Sequence, residues 1–426
     1  MKKTIVLIII LILALPFYVK ATAPTPEAAP YNLEQCINIA LEKHPSLKAS
    51  AGAVKASESR VGQAKANYYP QLNLSSGYQR IGPTTPPGET RDSYDQYSSS
   101  INLGVTLFDF GKTSTQVTIQ NLNVSAARAD YEDAIEQIVL NVKSAYYNLL
   151  QTERNRDVAI DTMKQFQQHL DQANAFFRIG TKPKFDVTKA EVDVGNARLN
   201  VLKAENAVRV ARITLKDVMG IPENADFPIV DNLAYQKSDL ALNDALNTAY
   251  ANRPDLQSVM ARREAADRSI DLARKGYLPT LSGSAGYGYS GTDFPLGSGW
   301  NAGAALSFPI FSGLSTKYQV EEARANLEIL QANEDSIRQA IRLDVEKAFL
   351  YVQDTAQQIA LSEITVLQAR DNYDLASGRY RTGVGSPIEV ADATITLNNA
   401  RATMNTALYN HKIAQAGLEK AIGAKP

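Results

Sequence analysis

The chain has 426 residues, 44% of them hydrophobic and 21% charged, with a formal net charge of −1. That balance excludes a nucleic-acid surface built on excess basic charge. The single cysteine, Cys36, excludes an intramolecular disulfide framework and a zinc site made of cysteine pairs.

Lys2 and Lys3 precede an apolar run from Ile5 to Leu15, and Ala21-Thr22-Ala23 follows as an A-x-A site. This order predicts a cleaved secretory signal peptide over residues 1–23. Its loss removes Lys2, Lys3 and Lys20 and no acid, which leaves a net charge of −4. No later run approaches the ~18 apolar residues of a membrane-spanning helix. A mature chain in a membrane must therefore be a closed β-barrel, the other fold that satisfies its backbone in lipid. Pro24 to Pro30 reads as an extended lead-in.

The remainder is a duplication: a first repeat over 24–220, a link over 221–238 and a second repeat over 239–426. Adding 209 takes Leu33 to Leu242, Pro45 to Pro254, Tyr68 to Tyr277, Pro70 to Pro279 and Leu72 to Leu281. Later the shift is 203, taking Phe108 to Phe311, Gly180 to Gly383, Val187 to Val390 and Gly220 to Gly423. Such a repeat predicts units that cannot bury their apolar faces alone.

Each repeat opens with a helical stretch and then alternates with period two, which predicts strands at about 71–80 and 96–109, and at about 280–290 and 298–309. Their length suits tilted transmembrane strands. Tyr94, Tyr97, Tyr289, Phe294 and Trp300 gather near the connecting loops, as an interfacial aromatic girdle would. Four strands leave two open edges, which lipid does not tolerate, so the chain must oligomerise. Gly286 to Gly291 fits G-x-G-x-x-G but ends a strand instead of opening a helix, so no dinucleotide site is expected.

Two long proline-free stretches follow the strands, Lys112 to Arg178 and Leu314 to Gly378. The first, of 67 residues, would span ~100 Å as one helix at ~1.5 Å per residue. A heptad seam then runs Val187, Ala190, Val194, Ala197, Val201, Ala204, Val208, Ala211, Leu215, and it recurs from Val390 to Leu418. Tight turns separate rod from seam at about 179–185 and 382–388. They read Gly180-Thr181-Lys182-Pro183 and Gly383-Val384-Gly385-Ser386-Pro387. Glycine ends one helix and proline starts the next, so each repeat holds a long antiparallel helical hairpin. His44, His169 and His411 lie far apart and form no catalytic or ligating motif. No enzyme, cofactor or metal is expected.

These features together resemble the TolC-like outer-membrane efflux protein family over Leu33 to Gly423. The resemblance rests on Tyr68-Tyr69-Pro70 and Tyr277-Leu278-Pro279 before the strands, and on Leu107-Phe108-Asp109 and Pro309 to Gly313 after them. Its most specific parts are Arg178 to Val187 and Tyr380 to Ala393 around the tips. The implied fold is mainly α with a transmembrane β-barrel portion. A homotrimer would form a twelve-stranded barrel in outer-membrane lipid and a twelve-helix periplasmic tunnel. The implied function is a passive duct of a tripartite efflux pump or type I secretion system, opened at its periplasmic tip. Implied partners are a periplasmic adaptor and an inner-membrane pump of the RND, ABC or MFS type.

By motif position Glu389 and Asp392 would ring the tunnel entrance, with Asp186 at the equivalent of Glu389 in the first repeat. Lys189 stands opposite Asp392, so only the second repeat carries the full acidic pair. The acids' spacing alone equally fits the preference of acids for a helix N-terminus. Gly180, Thr181, Lys182, Gly383, Val384, Gly385 and Ser386 would contact the adaptor. The competing reading is a soluble periplasmic coiled-coil adaptor. Such proteins show one hairpin flanked by β-rich domains, whereas this chain has two hairpins and four strands of lipid-crossing length.

Overall fold

The computed structural model describes residues 30–82, 84, 86–88, 92–222, 227–235 and 241–424. The expected signal peptide, part of the 82–93 loop and part of the 221–238 link lie outside the described residues. Each repeat runs through the same elements. The first has α1 (Leu33–Lys43), α2 (Pro45–Lys65), β1 (Gln71–Ile81), β2 (Tyr94–Phe108), α3 (Lys112–Arg178) and α4 (Lys184–Val218). The second has α5 (Leu242–Asn252), α6 (Pro254–Arg274), β3 (Thr280–Gly291), β4 (Gly297–Ser307), α7 (Ser315–Arg381) and α8 (Pro387–Ala421).

Local chemistry sets the boundaries. Asn32 and Gln35 form a reciprocal capping box at the start of α1. Pro45 and Pro254 begin α2 and α6, where a missing N–H is harmless. The rods α3 and α7 each hold 67 residues, and α4 and α8 each hold 35.

Helices of the two repeats stand side by side in one wall, two from the first repeat and then two from the second. In the half near the sheet the order is α2–α3–α6–α7, and in the half near the tips it is α4–α3–α8–α7. Arg128 to Glu58 and Asp130 to Ser258 pin the first half of α3, at 2.7 and 2.6 Å. Arg212 to Glu153 and Gln151 to Thr406 pin the second, at 3.1 and 2.9 Å. Thus α2 and α4 follow one another along α3. Where they meet, Gly220 adopts φ +65° and a Cβ there would lie 3.2 Å from His44 Cα. Gly423 repeats this, with φ +65° and 3.0 Å to the Arg253 nitrogen.

The main core surrounds the middle of α3, where α1, the end of α4 and residues 227–233 wrap it. Cys36, Val142, Tyr146, Leu149, Leu215 and Leu233 are all buried there. The Tyr146 hydroxyl donates to the Val230 carbonyl at 2.6 Å, which satisfies its polar end inside an apolar cluster. Burial pushes its pKa, and that of the Cys36 thiol (to about 11), upward.

Candidate functional site

The four strands form one antiparallel sheet in the order β1–β2–β3–β4. Register separates its faces by chemistry. Leu72, Leu74 and Tyr78 pair with Leu103, Ile101 and Tyr97. Ile101 and Leu103 pair onward with Tyr287 and Ala285, and these with Trp300 and Ala302. All project to one side by strand alternation. The other side carries Asn73, Ser75, Gln79, Ser98, Ser100, Asn102, Ser282 and Ser284, again as register partners. Leu72, Leu74, Tyr78, Ile101 and Trp300 are exposed, as lipid-facing side chains must be in an isolated chain. Among the described residues no helix is long and apolar enough to cross a membrane.

Four of the five loop-end aromatics sit with the apolar face. Tyr97, Tyr289 and Trp300 share it by register, and Phe294 stacks on Tyr97 with ring centroids 5.0 Å apart. Tyr94 departs from that expectation. It pairs with Ile81 on the polar side, three residues before Tyr97 and therefore of opposite parity. A second aromatic band lies at the helix end of the sheet, where the sequence pattern gives no expectation of one. Tyr68, Tyr69, Phe108, Phe110, Tyr277, Phe308 and Phe311 are exposed there. Its signal is the aromatic content of the Tyr-x-Pro and Leu-Phe-Asp motifs, which also punctuate the strands.

Both layers end open on both sides. β1 and β4 are edge strands, and α4 and α7 end the wall near the tips. α4 exposes Val192, Leu199 and Ile213, and α7 exposes Leu343, Leu350 and Ile364. These positions differ by sevens, so each end helix carries an unmet heptad seam.

At the first tip, Thr181 N–H donates to the Phe176 carbonyl and Gly180 N–H to the Phe177 carbonyl, both at 3.0 Å. At the second, Val384 N–H reaches Arg379 and Gly383 N–H reaches Tyr380, at 3.1 and 3.0 Å. Gly180 and Gly383 take φ +75° and +82°. These are Schellman closures that only glycine enters without strain. Ser386 then caps α8 through Ile388 N–H at 3.2 Å. Thr181, Gly383 and Val384 are exposed, Lys182 and Ser386 are half-buried, and Gly385 is buried against the Tyr380 backbone.

Glu389 and Asp392 are both exposed on α8, three residues apart, and Glu389 lies 3.6 Å from Arg379. Asp186 does not join them. It is 6% exposed, turned toward the seam that begins at Val187, and close enough to His169 and Tyr380 to interact with both. The corresponding acids of the two repeats therefore face different surroundings.

The sequence pattern of the Outer membrane efflux protein family matches residues 36–221 and 245–424, one block per repeat. The chain belongs to this family. It is an outer-membrane efflux channel subunit. Outer membrane protein TolC of Escherichia coli (strain K12) is 26% identical over 420 residues, covering 92% of this chain and 82% of that protein. Protein CyaE of Bordetella pertussis is 27% identical over 376 residues, covering 87% and 79%. The crystal structure of CusC, from work on folding and transmembrane channel formation, superposes with a TM-score of 0.80 at 19% identity. That match covers 95% of this chain and 96% of CusC.

Proposed function

We propose that three copies of this chain close into a duct that crosses the outer membrane and extends through the periplasm, and that the acids after the second tip guard its entrance. The observation that carries this reading is the shared openness of both layers. Sheet and wall each lack partners at their two ends, so side-by-side copies satisfy strand edges and helical seams together. Three copies supply twelve strands, above the ~8 at which membrane barrels begin. The polar face then lines the pore and the two aromatic bands meet the two membrane interfaces. The glycine-closed tips, with exposed Ile179, Phe185, Val384 and Ile388 around them, form the surface for a periplasmic adaptor. An inner-membrane pump supplies the energy, and the duct itself is passive. A soluble adaptor is disfavoured, since its exposed apolar sheet would face water.

Glu389 and Asp392 give the entrance its charge. Carboxylates in a narrow ring attract cations and repel anions, although Arg379 offsets part of the Glu389 charge. Replacing both with alanine is expected to lower the potassium-to-chloride permeability ratio about twofold or more in planar-bilayer recordings. An unchanged ratio in the double variant rejects the gate assignment.

A further inference from the structure

Where α8 ends against the start of α6, a cavity of about 420 Å³ opens between α3 and α7. That volume falls within the range of small-molecule sites, roughly 300–1,000 Å³. Gly417 of α8 leaves room for it, since nothing beyond the helix's own backbone lies within 4 Å of where a Cβ there would stand. Two acids of α3, Asp133 and Glu136, line the cavity one helical turn apart. Glu136 is only 9% exposed, and among the described residues its carboxylate has no hydrogen-bond or ion-pair partner. Neither of its oxygens is sealed off, so an occupant of the cavity can reach them. A glutamate this buried is seldom left unpaired.

Charge narrows the occupant. The cations around Glu136 are engaged elsewhere or face solvent. Arg253 is held by Asp255 and Asp344, at 2.6 and 3.1 Å. Lys420 donates to Gln137 Oε1, and Lys347 is exposed. Burial pushes the Glu136 pKa up to about 7, Asp133 and Asp255 add to the rise, and the pull of Lys420 and Arg253 does not cancel it. The carboxylate thus lacks a donor that also brings positive charge. Among the described residues no group of three ligands could hold a metal ion, which leaves an ammonium.

We propose that this cavity binds a small primary amine with an apolar body. The ammonium has three N–H donors and can bridge Glu136 and Asp133. Its apolar body lies against Ala348, Ala421 and the ring of Tyr351, which line the same cavity. Because a bound ammonium favours the charged carboxylate, binding near neutral pH drives a proton off Glu136. The site does not depend on the chain forming a duct, so it stands or falls by binding alone.

The test uses the full mature chain in detergent, with benzylamine as the probe in titration calorimetry near pH 7. Benzylamine is expected to bind saturably, and benzyl alcohol and benzoate, of similar shape, at least tenfold more weakly. Titrations in buffers of different ionisation enthalpy are expected to show proton release on binding. Glu136→Gln, of the same shape and uncharged, is expected to lower benzylamine affinity tenfold or more and to abolish that release. Gly417→Leu, which fills the cavity from α8 and leaves both acids in place, is expected to lower affinity as much. Should Glu136→Gln fail to assemble, the leucine variant and the wild-type proton release still decide the matter. No saturable benzylamine binding, equal binding of benzyl alcohol or benzoate, binding without proton release, or undiminished affinity in either variant overturns the site.

Discussion

His169 of the first hairpin and Tyr380 of the second meet edge to face, with ring centroids 4.7 Å apart. Both are buried, and the His169 Nδ1 and Tyr380 hydroxyl lack hydrogen-bond partners. Burial pushes the His169 pKa below its ordinary 6.5, against the pull of Asp193 and Asp186 and with help from Lys189. An unfolded chain takes up this proton first as pH falls. The stability that rests on the neutral ring is therefore present above about 6.5 and lost as pH drops through that value toward the lower folded one. His169→Gln should flatten part of the decline in melting temperature between neutral and acid pH, and an identical decline would show that His169 plays no part. Glycine gives a second expectation at this scale. Gly423→Ala forces an L side chain to φ +65° against the Arg253 backbone. It should destabilise by about 1–2 kcal/mol or more, read as a lower melting temperature, and Gly220→Ala should do the same. The burial of Asp186 is not legible in the sequence. Its motif position matches Glu389, but its neighbours come from α3 and α7, which a linear pattern does not bring together.

The sheet is where single-residue parity decides what an element does. Ile101 lies mid-strand on the apolar face and Ser100 beside it on the polar face. Ile101→Lys should impair membrane assembly by about 2–4 kcal/mol, the range for lysine on the lipid face near the midplane. Ser100→Lys should be tolerated, with any effect confined to conductance. Equal loss of heat-stable assembled protein in both variants would contradict this division of faces. Alternation makes these strands legible in the amino-acid sequence, because Leu72, Leu74, Ile101 and Leu103 keep strict period two. Tyr94 falls outside that pattern, since clustering near a loop says nothing about parity. The helices divide in the same way. Heptads disclose the rods and their tips. They also disclose the buried seam of α4, with Val187, Ala190, Val194 and Ala197, but not the second apolar row through Val192 and Leu199, which stays exposed.

At the scale of the whole molecule, both the strand edges and the end helices are unfinished in one chain. The duplication hints at this, since two repeats give only four strands. The order α4–α3–α8–α7 is not legible in the sequence, because its central α3–α8 contact joins residues more than 200 apart, such as Gln151 and Thr406. The most direct measurement is the mass of the mature protein extracted from membranes in mild detergent, by native mass spectrometry. A particle of three chains, released only by detergent, is the predicted result. A monomer recovered in water without detergent would contradict the shared wall on which the duct depends.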